Sequence, residues 1–168
     1  MDTAKFQELL LKFEGRIGPN SLMQGAIVIM VIGLILNALT IIIPFIGILG
    51  WALLYPMFCI YAKRLHDGGK PAVWTLAVLG AYIVVGMVLS VILTPLIAGD
   101  MVAAAMRGDS AAALGMEFRL KSFIIAAIGT VVTHLGVAFI VNQFVKGDPA
   151  ANAYGEPPAD AASPNPLS

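Results

Sequence analysis

The sequence predicts an all-α polytopic membrane protein: a bundle of four transmembrane helices preceded by a short N-terminal interfacial helix. Three observations lead there. Ile17 to Ala62 is a run of 46 residues without Asp, Glu, Lys, Arg or His, a composition comfortable only in lipid. Two more charge-poor runs follow, Pro71 to Gly99 and Ser122 to Val145. With 59% of its 168 residues hydrophobic, 12% charged and a mean hydropathy of +0.89, the chain leaves no room for a soluble catalytic domain beside them. The expected division is residues 1–20 as an amphipathic segment, 21–146 as the four-helix domain and 147–168 as a tail.

Phe6, Leu9, Leu10 and Phe13 recur at helical spacing opposite Lys5, Glu8 and Lys12, which describes a helix lying in the interface or, alternatively, one resting on the loops of the same side. Asp2 or Thr3 can cap its start and Gly15 can end it. A hydrocarbon core of about 30 Å takes about 20 helical residues, so the long uncharged run divides into two spans, turned at Pro44 and Gly47. The spacing predicts spans at about 22 to 43, 46 to 65, 72 to 97 and 122 to 145. Gly99 to Lys121 reads as an outer loop broken at Gly108, with Asp109 or Ser110 capping a short helix over Ala111 to Phe118. Beyond Lys146, five prolines, many alanines and few large apolar residues make a tail without its own core, its last ten or so residues mobile.

Lys and Arg set the orientation. With the amino terminus in the cytoplasm, that side holds Lys5, Lys12, Arg16, Lys63, Arg64, Lys70 and Lys146, against Arg107, Arg119 and Lys121 outside. This split favours both termini inside. Acid at Asp2, Glu8 and Glu14 and the length of the following apolar run are unlike a cleavable signal peptide. A net charge of zero with scattered basic residues gives no face for nucleic acid.

Polar side chains in lipid are expensive and the first place to look for function. On the fourth span Ala126, Thr130, His134, Ala138 and Asn142 recur every four residues, with Gly129, Thr133 and Gly136 beside them, a stripe expected to face other helices. His134 is read either as a proton relay or ligand, or as a neutral imidazole donating one interhelical hydrogen bond. Asn37 and Thr130 fall at matching depth and form an intramembrane cluster with it. No cofactor or metal is expected: one His and one Asp in a loop do not make a metal site, and the eight methionines are spread as packing residues.

The densest polar stretch is Lys63-Arg64-Leu65-His66-Asp67-Gly68-Gly69-Lys70-Pro71, where Lys63 and Arg64 are expected to snorkel from a helix end and Trp74 to anchor the next span. Arg16, Lys63, Arg64 and Lys70 could hold an anionic lipid headgroup.

This stretch, with Trp74 after it, resembles the signature [KR]-R-L-H-D-x-G-[KR] of the bacterial membrane family catalogued as domain of unknown function 805. Phe13-Glu14-Gly15-Arg16 is similar to that family's F-x-G-R opening, and Asn152-Ala153-Tyr154-Gly155-Glu156-Pro157-Pro158 to its closing N-x-[YF]-G-x-x-P. The family's second Arg and Trp after the opening are absent from Ile17-Gly18-Pro19-Asn20-Ser21. The resemblance implies a small polytopic protein of the bacterial inner membrane and brings no established activity or catalytic residue.

The functional expectation is a non-enzymatic accessory or interaction component, in contact with the lipid bilayer and with another membrane protein or a second copy. The alternative is a small transporter or channel whose path is lined by His134, Asn37 and Thr130. All three motifs fall on one side, so Asn152 and Tyr154 are expected to meet the Arg64, His66 and Asp67 loop with Arg16 alongside.

Overall fold

The computed structural model describes residues 3–109 and 115–160. The expected caps Asp2 and Ser110, the first half of the helix placed at Ala111 to Phe118, the Lys5 and Phe6 side chains and residues 161–168 of the tail lie outside the described residues.

Helix α1 is Thr3–Leu11. Leu9 and Leu10 are buried, and the helix rests along α3 (Leu54–Asp67). Two bonds fix it there: the Tyr55 hydroxyl donates to the Leu11 carbonyl at 2.9 Å, and Lys63 Nζ to the Glu8 carbonyl at 2.5 Å. Gly15 turns the chain only after α1 has ended, at a φ of 87°.

Helix α2 is Pro19–Leu39, opened by a proline at N1, whose missing N–H costs nothing there. Its buried face is Leu22, Gly25, Ala26 and Ile29, one stripe at helical spacing. A side chain at Gly25 would stand 3.0 Å from the Ile60 side chain, so glycine here allows α2 and α3 to approach closely. The turn at Pro44 does not start an α-helix directly. Pro44–Leu53 is a 3-10 helix, ten residues long and continuous with α3, and together Phe45–Asp67 is long and apolar enough to span.

A 3-10 turn at Ala72–Trp74 leads into α4, Thr75–Met106, which runs well past the expected end at 97. Pro95 lies inside it, and Ala98 has non-helical angles, φ −127° and ψ 18°. Proline removes one helical hydrogen bond and crowds the preceding turn, so the helix kinks instead of stopping. Helix α5 is Met116–Phe144. It lies against both α2 and α4, while α3 touches α2 and α4, so the four spans close into an up-down-up-down ring. Among the described residues there is no strand, only an isolated bridge pairing Asn152 with Gly155.

The tightest core gathers at the end of the bundle that carries α1 and the start of α2, where Leu22, Cys59, Ile60, Tyr61, Ala62 and Ala138 are fully covered. The other half is looser. A cavity of about 580 Å³ opens between α4 and α5, and one of about 420 Å³ beside α2 and the 3-10 helix. The small-residue stripe on α5 is only partly an interface: Thr133, Val137, Ala138 and Val141 are buried, but a side chain at Gly129 or Gly136 would meet nothing within 4 Å.

Candidate functional site

Three chain segments converge at the closed end. Gly15 reverses the chain after α1 and delivers Arg16 to the mouth of the bundle. The last turn of α3 presents Arg64, His66 and Asp67, and Gly69 (φ 69°) turns away from it. After α5 the chain returns through Gly147 to a tight turn at Asn152 to Gly155, whose two ends exchange backbone bonds of 3.1 Å. Gly147 and Gly68 are required by space. An added Cβ would stand 2.7 Å from Asp67 Oδ2 at Gly147, and 2.7 Å from a Val145 methyl at Gly68.

Asp67 is the centre. Its Oδ1 accepts from Arg16 Nε at 3.1 Å and Nη2 at 2.9 Å, and its Oδ2 accepts from Arg64 Nη1 at 2.5 Å. The three side chains are 1% (Arg16), 4% (Arg64) and 0% (Asp67) exposed, so their charges are shielded from water and must satisfy one another. Arg16 has no donor to spare, and every nitrogen of Arg64 has a partner. Arg16 Nη1 reaches the carbonyls of Ala150 (2.8 Å) and Gly155 (3.1 Å), and Nη2 also donates to that of Asp148. Arg64 spends Nη2 on the Val145 carbonyl at 2.7 Å and Nε on Asn142 Oδ1 at 2.8 Å. One directly bonded carboxylate against two guanidinium groups leaves a positive charge over, which the more distant Asp160 carboxylate and the carbonyl ends of α3 and α5 offset. Lys63 and Arg64 therefore do not snorkel outward as expected; both are buried, because internal acceptors replace the water they would otherwise seek.

Around this clasp the other motif residues tie the tail down. Asn152 Nδ2 donates to the His66 carbonyl at 3.1 Å, while its Oδ1 accepts the Tyr154 amide at 2.9 Å and shapes the turn. The His66 ring stacks on Tyr154, and its Nδ1 lies 3.1 Å from the Gly15 carbonyl. The Asp148 amide donates to the Asp67 carbonyl at 2.8 Å. Two contributors were not legible as such. Asn142, expected on the inward stripe, bridges Arg64 to the Pro19 carbonyl at 3.1 Å. Asp160 caps α2 from far along the chain, accepting from the Gly18 amide at 3.0 Å and from the Ser21 amide and hydroxyl at 2.9 Å each. The signal was negative: Gly18 precedes Pro19 and offers no capping side chain.

The structure thus brings together Arg16, Arg64, His66, Asp67, Asn152 and Tyr154. Lys63 turns to α1, and Lys70 is exposed. The intramembrane residues do not form one cluster. His134 Nδ1 bonds the Thr130 carbonyl of its own helix at 2.9 Å, and its ring meets Tyr82 edge-on at 5.2 Å. Tyr82 in turn shares a 2.8 Å hydroxyl contact with buried Tyr61. Thr130 and His134 line the α4–α5 cavity, whereas Asn37 lines the other one. Among the described residues no group of three or more His, Cys, Asp or Glu side chains gathers as for a metal.

No curated protein and no solved structure matches the chain. The family described as "Protein of unknown function (DUF805)" matches residues 10–156, a stretch that holds all four spans and reaches from the segment before Arg16 to the Asn152–Gly155 turn. The chain is a multi-pass helical membrane protein, and by that match it belongs to the DUF805 family.

Proposed function

We propose that the protein is a non-enzymatic interaction component of the bacterial inner membrane, with both termini cytoplasmic, in which the clasp holds the tail on the bundle as a preformed surface for another membrane protein or a second copy. One observation carries this reading: the nitrogens of Arg16 and Arg64 are spent on Asp67, Asn142 and backbone carbonyls. A catalytic or anion-binding site needs donors aimed at a place that substrate will occupy, whereas these donors hold the chain to itself. The seven-to-three division of basic residues supports the orientation. The test is photo-crosslinking from Glu156, an exposed residue of the docked turn, in native membranes. A discrete adduct is expected, and its loss in an Asp67→Asn chain that still inserts. No adduct in the unaltered chain would count against the reading.

A transporter is the second reading, favoured by the α4–α5 cavity with Ser90, Thr94, Thr130 and His134 in its wall. Solute flux in proteoliposomes that His134→Ala abolishes would replace the first proposal with this one.

A further inference from the structure

At the closed end, on the outer surface of the bundle, a groove of about 410 Å³ runs between α4 and α5. Its lining includes buried Val137, the small exposed Ala77 and Ala81, and the large exposed Trp74 and Phe144. From Trp74 to Val85 the lining spans eleven residue rises, roughly 16 Å at about 1.5 Å each. That is the depth of one leaflet, half of a core of about 30 Å. Lys70 lies at the upper rim. The chain at Lys146 passes against the loop that carries Lys70, since the Lys146 carbonyl and a Val145 methyl crowd one face of Gly68. Both lysines are exposed, and among the described residues neither ammonium has a hydrogen-bond or ion-pair partner. They differ in this from Arg16, Lys63 and Arg64, all turned inward.

We propose that this groove is a binding site for one anionic phospholipid, its acyl chain lying along α4 over Ala77 and Ala81 and its phosphate held by Lys70 and Lys146. The charge pairing selects the headgroup. A zwitterionic lipid brings its own ammonium to a rim that already has two, while a net negative headgroup neutralises them. The alanines select the chain, because they leave a trough that larger side chains would fill. Trp74 supplies an amphipathic ring at headgroup level. The inference is independent of the clasp and of any partner it presents.

The chain has two tryptophans, and Trp51 belongs to the 3-10 helix at the opposite end. In a Trp51→Phe background Trp74 is then the only indole, and its quenching by lipids brominated on the acyl chain reads occupancy of the groove. The full chain is placed in phosphatidylcholine vesicles in which brominated phosphatidylglycerol or brominated phosphatidylcholine replaces the same fraction. We expect the anionic lipid to be preferred by roughly fivefold for each lysine engaged. The preference should fall to unity in Lys70→Gln/Lys146→Gln and in Ala81→Phe, which fills the trough but keeps both charges. It should persist in Lys12→Gln. Equal quenching by both lipids would overturn the proposal, as would a preference that survives Ala81→Phe. A Lys12→Gln effect as large as the double variant's would reduce it to a diffuse surface field. Loss of the preference on adding glycerol 3-phosphate would reassign the rim to a soluble phosphate.

Discussion

His66 and Tyr154 lie face to face, ring centroids 3.9 Å apart and planes 1° from parallel. The first ends a transmembrane helix and the second belongs to the tail, so the stack exists only while the tail is docked. Tyr154→Phe keeps the face and should leave the protein unchanged. Tyr154→Ala should cost about 1 kcal/mol and open residues 148–160 to limited proteolysis. Equal protease resistance in the two variants would show that the stack does not hold the tail.

Asp67→Asn removes the only side-chain charge that the two arginines share in the clasp. Leaving buried cations without a counter-charge costs about 3–5 kcal/mol, enough to lower the unfolding midpoint in detergent sharply. A loss below about 1 kcal/mol would mean that water or rearranged carbonyls replace the carboxylate.

The glycines sort by surroundings. Gly147→Ala forces a methyl against Asp67 Oδ2 and should destabilise by about 1–3 kcal/mol. Gly129→Ala and Gly136→Ala have open space and should be neutral or slightly stabilising, since alanine favours helix. Thermal unfolding of the three variants in one detergent decides the order.

Asp160→Ala should cost about 1 kcal/mol as a lost helix cap and speed hydrogen exchange at the Gly18 and Ser21 amides. Asp160→Asn retains an acceptor and should lose less. Unchanged exchange in Asp160→Ala would remove the capping role.

The spans were legible because lipid enforces one rule, absence of charge, over every residue of a span. Their ends were less so. Pro95 marks the third span for a break, yet the helix resumes after Ala98, because apart from Asp100 mostly apolar residues continue to Met106 and nothing in the sequence states how a kinked helix is accommodated. At the clasp, residue types were legible and partners were not. Arg64 and Asp67 are neighbours in sequence and pair as such, but Arg16 reaches Ala150 and Gly155 through their backbones, and a carbonyl acceptor leaves no trace in side-chain chemistry. Asn142 faces other helices as its stripe implies, but its partners Arg64 and Pro19 were not legible for a related reason: periodicity gives a helix face, while depth along the axis decides which neighbours that face meets.

Synthesis runs from one end of the chain to the other, and the cap that Asp160 places on α2 is made after all four spans. A nascent molecule therefore inserts its first helix with the Gly18 and Ser21 amides bare, and Arg16 waits for Ala150 and Gly155 to leave the ribosome. A product interrupted between Val145 and Asp160 has the same segments in the bilayer as one that reaches residue 160. What distinguishes it is a set of Arg16 and α2 donors left open at the water's edge, a mark of immaturity that disappears when the tail arrives.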